Sequence, residues 1–322
     1  MPKSVIALLA SLLAVLVSSQ AVAAPVRVAV LKFGTVSWEM DVVRRNGFDA
    51  AEGIAIDLVE LASGQSAKVA LQAGSVDVIV SDLLWVSRVR AKGRDFVFAP
   101  YSASLGDLMV PPESNVRGIA GLAGSKIGVA GGPLDKSWLI IRAFSKKLAG
   151  VDLADAAEPV FAAPPLLNQK AKQRELAAVL NYWPYSARLE AKGFKRLVGV
   201  RQALVELGIA GDPPIVGYVF REGWAKENAG LIEGFLRATG RARKLLFESD
   251  AEWELVRPLM RAENEATFVS LRNRFRSGVP KSSPNSLQHS AEGIYRVLSE
   301  AAGEALVGPQ KTLAPGTVWA VE

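Results

Sequence analysis

Residues 61–85 read LASGQSAKVALQAGSVDVIVSDLLW, and this stretch decides the fold. Ser63 or Ser66 can cap a helix with a short apolar face, and Gly74 can end it. The following residues 76–80 are mostly β-branched, as in a strand that is covered on both faces of a parallel sheet. The stretch therefore predicts a loop, a helix, a strand and a second loop of an α/β fold.

The two loops of this unit are predicted to face the same way. The helix start leaves backbone N–H groups free between Gly64 and Lys68, and Ser81 and Asp82 lie just beyond the carboxyl end of the strand. Ligands of open α/β sheets bind outside the carboxyl ends of strands, often at helix N-termini. On its own, the stretch fits a ligand site and ordinary helix caps with nothing bound equally well.

The first 23 residues have the pattern of a secretory signal peptide. They contain one Lys, an apolar run over residues 5–17 and a small-residue motif that ends at Ala23. The apolar run is too short for a permanent membrane anchor. The chain has no Cys, which excludes both a lipid-anchored Cys and a disulfide. We therefore expect a soluble periplasmic protein that is cleaved near Ala23.

Length and charge narrow the class of protein further. About 300 mature residues, half of the chain being apolar, suffice for two domains with full cores. The formal net charge of +6 includes Lys3 of the signal peptide, and the charges are spread without a run of five like charges. A solvated, mildly basic surface is expected, and a nucleic-acid-binding face is not.

The segment before this stretch adds further candidates at the same crevice. A strand is predicted over residues 26–31, and Gly34 allows a tight turn before a helix over residues 39–46. Ser37 and Trp38 would then lie in the loop, near Ser81. The Trp38 ring can stack on a planar ligand or cover the apolar core. Its polar neighbours in the sequence favour the contact with a ligand.

A second half of the chain repeats the arrangement. A strand over residues 126–130 is followed by Gly131-Gly132 and by a helix that Asp135 or Ser137 can cap. A buried strand over residues 176–180 ends in polar and aromatic residues, Asn181, Tyr182 and Trp183. Asp135 and Ser137 are each better explained singly as plain caps. The helical tail from residue 231 onward indicates packing, not chemistry.

The mature chain resembles the periplasmic substrate-binding proteins of ABC importers, in the nitrate, sulfonate, taurine and thiamine-precursor branch. The match is one of order and spacing, and it covers Ser63-Gly64, residues 73–78, residues 118–128, Gly131-Gly132 and residues 179–184. The chain departs from the family at Arg174 and Ala177, where relatives often have Gly and Asp.

The resemblance implies a type II periplasmic binding protein, an α/β fold of two lobes. Each lobe would be a mostly parallel sheet flanked by helices, with residues 24–102 and 213–322 in the first lobe and residues 103–212 in the second. Crossovers near residues 101–104 and 212–218 would act as hinges. It also implies a monomer without a cofactor that delivers a small ligand to a membrane permease driven by a separate ATPase.

The positions that contact ligand in the family can be carried over to this chain. They are Ser37, Trp38, Ser63, Gly64, Gln65, Ser66, Ser81, Asp82, Gly132, Asp135, Lys136, Ser137, Asn181, Tyr182 and Trp183. Lys136 is the only cation in these loops, whereas Asp82 and Asp135 are anions. We therefore expect a planar or heterocyclic organic ligand with an amine, amide or hydroxyl edge ahead of a bare small anion, and a sulfonate-like ligand is the alternative.

Two other classes of function stay open. An enzyme of the resembling thiamine-pyrimidine-synthase branch would rely on histidine and cysteine, but the only histidine is His289, which is predicted to lie on the surface. No catalytic residue and no metal ligand is predicted, although carboxylate-only acid–base chemistry by Glu39, Asp82 and Asp135 stays possible. The third class is a ligand sensor that presents its liganded form to a membrane receptor.

Overall fold

The computed structural model describes residues 25–32, 34–209, 215–280, 284–302 and 310–319. The predicted signal peptide with its cleavage site at Ala23 lies outside the described residues, as do residues 212–214 of the second predicted crossover. Within the described ranges, no helix combines the length and apolar character that a membrane span requires.

The first lobe contains two small sheets. Its elements are β1 (Val26–Leu31), α1 (Val36–Arg45), α2 (Phe48–Ala51), β2 (Ile56–Leu61), α3 (Gly64–Ala73), β3 (Ile79–Asp82), α4 (Leu83–Arg90) and β4 (Phe96–Ser102), which are joined later by β10 (Val216–Arg221). β1 and β2 pair in parallel, and β10 pairs antiparallel with both β3 and β4. The order β3-β10-β4 places the returning strand in the middle of its sheet.

The second lobe is built on one five-stranded sheet. Its elements are β5 (Asp107–Val110), a 3₁₀ turn (Ile119–Leu122), β6 (Lys126–Ala130), α5 (Lys136–Ala149), α6 (Leu153–Ala156), β7 (Glu158–Ala162), α7 (Pro164–Lys172), β8 (Ala178–Asn181), α8 (Trp183–Glu190), β9 (Lys195–Gly199) and α9 (Val200–Glu206). The strand order is β7-β6-β8-β5-β9. β6 runs parallel to β7 and β8, and β5 runs antiparallel to β8 and β9.

The C-terminal helices contact both lobes. They are α10 (Glu222–Glu227), α11 (Ala229–Glu248), α12 (Asp250–Met260), α13 (Glu265–Ser277) and α14 (Pro284–Ala302). α11 packs on α1 of the first lobe, whereas α13 packs on α8 and α14 on α5 of the second lobe. The chain then returns to the first lobe, where the Trp319 N–H donates to the Phe98 carbonyl at 2.8 Å. The lobe boundaries at residues 102 and 213 stay predictions.

Three elements differ from their predicted positions. The strand predicted over residues 176–180 is observed at Ala178–Asn181, so Asn181 is its last residue and Tyr182 is the N-cap residue of α8. The strand predicted over residues 76–80 is observed at Ile79–Asp82, because Val78 makes only an isolated parallel bridge with Val28 while β10 pairs with the later residues. Helix α1 begins at Val36, three residues earlier than predicted, with Thr35 as its N-cap residue. Ser37 and Trp38 therefore lie in the first helical turn and not in a loop.

Backbone geometry confirms the predicted helix end at Gly74 and shows a second left-handed residue at Arg174. Gly74 ends α3 in the left-handed region, with φ of +74°, as its position at the end of the apolar segment predicts. Arg174, which stands where the resembling family often has Gly, adopts the same region with φ of +65°. The loop before β8 thus keeps a glycine-like conformation without the glycine, which costs about 1 kcal/mol or more in an L-residue.

Candidate functional site

The N-terminus of α3 is closed by a capping box. The Ser63 Oγ accepts from the Ser66 N–H at 3.1 Å, and the Ser66 Oγ accepts from the Ser63 N–H at 3.0 Å. Both predicted caps therefore act together, in the reciprocal pattern that satisfies two orphan donors. Helix geometry leaves the N–H groups of Gly64 and Gln65 without an intrahelical acceptor, and both residues are exposed. They form the positive end of the α3 dipole.

Asp82 lies at the end of β3 and caps the next helix. Its Oδ1 accepts from the Trp85 N–H at 2.8 Å, and its Oδ2 lies 3.5 Å from the Lys68 Nζ. Burial raises the pKa of Asp82, but the charges of Lys136 and Lys68 and the Trp85 hydrogen bond outweigh this effect and hold the pKa below its ordinary value. Asp82 is therefore ionised in the cleft.

Lys68 is a site residue that the sequence interpretation missed. Its Nζ lies 5.1 Å from the centre of the Trp85 ring, and burial together with the nearby Lys136 lowers its pKa despite Asp82. The signal was present, because side chains of an α-helix lean toward the N-terminus and Lys68 follows Gly64 by one helical turn. A lysine at this position can reach the ligand end of the helix.

Asp135 has the matching role in the second lobe. Its Oδ1 accepts from the N–H groups of Ser137 at 2.9 Å and Trp138 at 3.4 Å, which caps α5. Its Oδ2 accepts from the Tyr182 hydroxyl at 3.2 Å. A Cβ at Gly131 would lie 2.5 Å from that hydroxyl and 2.6 Å from Asp135 Oδ2, so a side chain at Gly131 would break the contact.

Charges of the two lobes act on one another at this point. Lys136 of the second lobe lowers the pKa values of both Asp82 and Lys68 in the first lobe. In return, after burial and Asp135, the charge of Asp82 also raises the pKa of Tyr182. The charges at the end of β3 and the start of α3 thus lie close enough to those at the start of α5 and the end of β8 to act on one another, and a shared ligand gap between them stays a prediction.

The polar groups of Asn181 and Ser37 are used within their own lobes. Asn181 is 1% exposed; its Nδ2 donates to the Pro164 carbonyl at 3.0 Å and to Asn168 Oδ1 at 2.9 Å, and its Oδ1 accepts from the Tyr182 N–H. The Ser37 Oγ donates to the Gly34 carbonyl at 2.6 Å. Both side chains hold the backbone that surrounds the gap, and a direct ligand contact stays a prediction for each.

Ser81 offers a hydroxyl that is not in use. Its Oγ is buried and has no hydrogen-bond partner among the described residues. Gly132, with φ of +102°, has no atom within 4 Å of where a Cβ would be, so the backbone there is open. Ser137 is 4% exposed and contributes its N–H to the Asp135 cap.

Trp38 lies in an apolar cluster between the lobes. Its ring is 4% exposed and packs edge-on against Trp183 at 6.1 Å and Trp253 at 6.0 Å between ring centres. Phe275 closes the cluster at 6.4 Å from Trp38. The early start of α1 turns this ring inward, so the structure places Trp38 in core packing, and its predicted ligand contact stays untested. Trp183 is half-buried beside it.

The residues considered for catalysis are placed as follows. Glu39 is 0% exposed and bonded to Tyr218 and Arg243, while Asp82 and Asp135 act as helix caps. His289 is exposed on α14, as predicted. In the part of the chain that the structure describes, no group of three His, Cys, Asp or Glu side chains is arranged to hold a metal ion.

Comparison with protein families decides the family of the chain. The family model described as NMT1/THI5 like matches residues 42–252, which is more than half of the chain. The chain belongs to the NMT1/THI5-like family. This matched region includes α3, β3, α5 and β8, so the candidate gap of the NMT1/THI5-like protein lies inside it. No curated protein matches the chain.

Solved structures show the fold of the NMT1/THI5-like protein. The alkanesulfonate-binding protein SsuA from Xanthomonas axonopodis pv. citri, bound to MOPS, has a TM-score of 0.70 at 15% identity, over 92% of this chain and 98% of that chain. The periplasmic aliphatic sulphonate-binding protein SsuA from Escherichia coli has a TM-score of 0.70 at 19% identity, over 92% of each chain.

A third structure is more distant. The periplasmic nitrate-binding protein NrtA from Synechocystis PCC 6803 has a TM-score of 0.58 at 12% identity, over 78% of this chain and 69% of that chain. At such identities the likeness concerns the fold. The two-lobed α/β fold of periplasmic binding proteins and the family resemblance, both predicted from the sequence, are confirmed.

Proposed function

We propose that this protein is the periplasmic solute-binding component of an ABC importer, which captures a small organic anion between its lobes and delivers it to a permease. The observation that carries the proposal is that the Lys68–Asp82 pair of the first lobe and the Asp135–Tyr182 pair of the second, together with Lys136, are close enough for their charges to act on one another. Support comes also from the fold neighbours, whose names describe sulfonate- and nitrate-binding proteins.

The charge expected of the ligand depends on which charged groups of the candidate site already have partners within the protein. The Oδ1 atoms of Asp82 and Asp135 accept backbone N–H groups as helix caps, while Asp82 Oδ2 faces Lys68 and Asp135 Oδ2 accepts from the Tyr182 hydroxyl. Lys68 Nζ is 3.5 Å from Asp82, which is longer than a strong charge-assisted hydrogen bond, and within the described residues no carboxylate oxygen lies within 4 Å of Lys136 Nζ. The N-termini of α3 and α5 add positive ends of helix dipoles. Positive groups are thus the ones free to bind.

This favours the sulfonate-like alternative over the neutral heterocycle. The expectation of a heterocycle depended on Lys136 being the only cation in these loops, against the two anions Asp82 and Asp135. The structure adds Lys68 and uses both acids as caps. The Tyr182 hydroxyl, which donates to Asp135, and the buried Ser81 hydroxyl, which has no partner among the described residues, are the neutral polar groups that we assign to the uncharged part of the ligand.

A ligand panel tests the proposal. The purified chain is screened by thermal shift and calorimetry against alkanesulfonates, taurine, nitrate, small carboxylates and neutral pyrimidines. An organic anion at about 100 times its Kd should stabilise the protein by about 2.7 kcal/mol. Stabilisation by neutral pyrimidines alone would contradict the proposed ligand class.

The enzymatic alternative is tested on the same ligand. Mass spectrometry after prolonged incubation should recover the compound unchanged, and a new product would instead support an enzyme. Addition of the liganded protein to vesicles that contain the cognate permease and ATPase should stimulate ATP hydrolysis, whereas a sensor partner would leave it unchanged. Cell fractionation with N-terminal sequencing should find the chain in the periplasm, beginning near Ala24.

A further inference from the structure

Glu39 is a buried carboxylate that ligand binding as proposed above does not use. It lies in the first turn of α1 and is 0% exposed. Its Oε1 accepts from the Tyr218 hydroxyl at 2.7 Å and from the Arg243 Nη1 at 3.0 Å. Its Oε2 is buried and has no hydrogen-bond partner among the described residues. Half of this carboxylate is therefore satisfied and half is not.

Its neighbours lie on the strands that connect the lobes. Tyr218 is on β10, on which the chain returns to the first lobe, and Tyr101 is near the end of β4, on which the chain leaves it. The two rings are 5.1 Å apart, and the Arg243 guanidinium carbon lies 5.5 Å and 5.9 Å from the Tyr101 and Tyr218 ring centres. We call Glu39, Tyr101, Tyr218 and Arg243 the Glu39 cluster.

The other side of the same helical turn contacts the second lobe. Trp38, which precedes Glu39, packs against Trp183 at the start of α8. The first turn of α1 thus contacts β10 on one side, through Glu39, and the second lobe on the other, through Trp38. The ion pair of Glu39 with Arg243 is poorly explained by stability alone, because the attraction between two buried charges seldom exceeds the free energy lost by their desolvation.

We propose that Glu39 is a positioning residue, which ties the first turn of α1 to β10 through Tyr218. Its ionisation then sets how Trp38 contacts the second lobe, and this contact in turn sets the affinity for ligand. The effect of Glu39 on ligand affinity rests on the proposed binding function. The effect of Glu39 on Trp38 does not, so an experiment can contradict one of these effects without the other.

Glu39 is the member of the cluster that changes charge near neutral pH. Burial raises its pKa to about 7, although the charge of Arg243 and the Tyr218 hydrogen bond act to lower it. Burial and the Glu39 charge raise the pKa values of Tyr101 and Tyr218, so both remain neutral. Arg243 of α11 stays charged because Glu39 and the tyrosines raise its pKa against the effect of burial.

The coupling to Trp38 is tested without any ligand. The chain is labelled with 5-fluorotryptophan, the ¹⁹F resonances of Trp38 and Trp183 are assigned with Trp38→Phe and Trp183→Phe, and the pH is varied from 5.5 to 8.5. Both resonances should shift with one midpoint near 7. Glu39→Gln should abolish the midpoint, and Glu60→Gln, an exposed control, should leave it in place.

A second variant keeps the proposal falsifiable if Glu39→Gln does not fold. Tyr218→Phe removes the hydrogen bond that lowers the pKa of Glu39, so the midpoint should move to higher pH. A midpoint that persists in Glu39→Gln, or that Tyr218→Phe leaves in place, would overturn the proposal.

Affinity is tested with ethanesulfonate as the probe. Its Kd should differ at least threefold between pH 6 and pH 8 in the wild type and be equal at both pH values in Glu39→Gln. Equal dependence in both proteins would overturn the affinity part. Absence of binding to the wild type at either pH, with the ¹⁹F midpoint intact, would instead count against the proposed ligand class while the coupling to Trp38 stands.

Discussion

Asp82 serves both as the cap of α4 and as the counter-ion of Lys68. In the absence of ligand, its negative charge keeps a half-buried ammonium in the gap compensated, which limits the cost of holding a lysine there. An incoming anion can then share Lys68 with Asp82 and take up Lys136 without a change in the caps. At the scale of single residues, the candidate site thus combines one lysine that is paired with a structural acid, Lys68 with Asp82, and a second lysine, Lys136, that has no carboxylate within 4 Å among the described residues.

Removal of Lys68 should weaken binding with little effect on folding. We expect Lys68→Met to lower the affinity for the organic anion about 10- to 100-fold, or about 1.4–2.8 kcal/mol, because a partly desolvated charge contact is lost. Lys195→Met, at an exposed position on β9, is the matched control and should bind as the wild type does. Isothermal titration calorimetry measures both, and equal affinities of the two variants would exclude Lys68 from the site.

The Asp135 cap should contribute to stability independently of any ligand. Asp135→Ala removes the oxygen that accepts from the Ser137 N–H and also the partner of Tyr182, so we expect a loss of about 1–2 kcal/mol. Tyr182→Phe keeps the cap and should cost less. Urea unfolding followed by circular dichroism compares the two. A larger loss for Tyr182→Phe would show that the tyrosine, not the cap, holds the α5 start.

At the scale of elements, the start of α1 decides what Trp38 does. Since the helix begins at Val36, the side chain of Trp38 points into the cluster with Trp183, Trp253 and Phe275 and not into the crevice. The cluster joins α1 of the first lobe to α8 of the second and to α12 and α13, so one ring contributes to three interfaces. Edge-on aromatic pairs add about 0.5–1.5 kcal/mol each beyond their buried area.

Truncation of Trp38 should therefore destabilise the fold. We expect Trp38→Ala to lower the free energy of unfolding by about 3–5 kcal/mol, because it leaves a cavity in a well-packed cluster. Leu255→Ala, at a side chain that is 59% exposed, should change it by less than about 0.5 kcal/mol. Urea denaturation gives both values. A stable Trp38→Ala variant that has lost ligand affinity would restore the ligand-stacking role.

At the scale of the whole molecule, the C-terminal helices contact both lobes, in addition to strands β4 and β10 on which the chain leaves and re-enters the first lobe. Arg274 of α13 forms an ion pair with the buried Asp107 at the start of β5 and donates to Glu190 of α8 at 2.8 Å. Burial raises the pKa of Asp107 even though Arg274 and Arg196 lower it. Any motion of the second lobe must therefore carry α13 with it or break this contact.

The pH dependence of global stability should reveal Glu39. Its pKa is raised from 4.5 to about 7, so the folded state binds the proton more tightly than the unfolded chain. This contribution is complete below pH 4.5 and is lost as the pH rises through 7. The wild type should lose stability between pH 5 and 8, by up to about 3 kcal/mol from this group alone.

The control for this prediction is the same series on Glu39→Gln. Urea unfolding at pH 5, 6, 7 and 8 should show a flatter profile for the variant, since its side chain does not titrate. Carboxylates with lowered pKa values, such as Glu190 and Glu222, also change the stability with pH. Their stabilising effect grows as the pH rises and is complete near their ordinary pKa of 4.5, so it does not mask the loss between pH 5 and 8. Parallel profiles of wild type and variant would disprove the assignment.

The sequence by itself determined most of the elements, the polar ends of the two lobes and the family. These features depend on signals within a few residues of one another: the caps at Ser63 and Asp135, the left-handed glycine at Gly74, and the periodicity of apolar residues. Each signal acts on the backbone around it, so the start of α3 and the polar end of β3 were predictable without a partner.

Only the tertiary structure decided how those ends are used. The pairing of Lys68 with Asp82, the burial of Trp38 and the packing of α13 and α14 on the second lobe depend on residues that are distant in the chain. Glu39 and Arg243, for example, are 204 positions apart, and no local pattern marks them as partners. The physical reason is that side-chain direction and charge compensation are set by packing between elements, which a periodicity within one element does not contain.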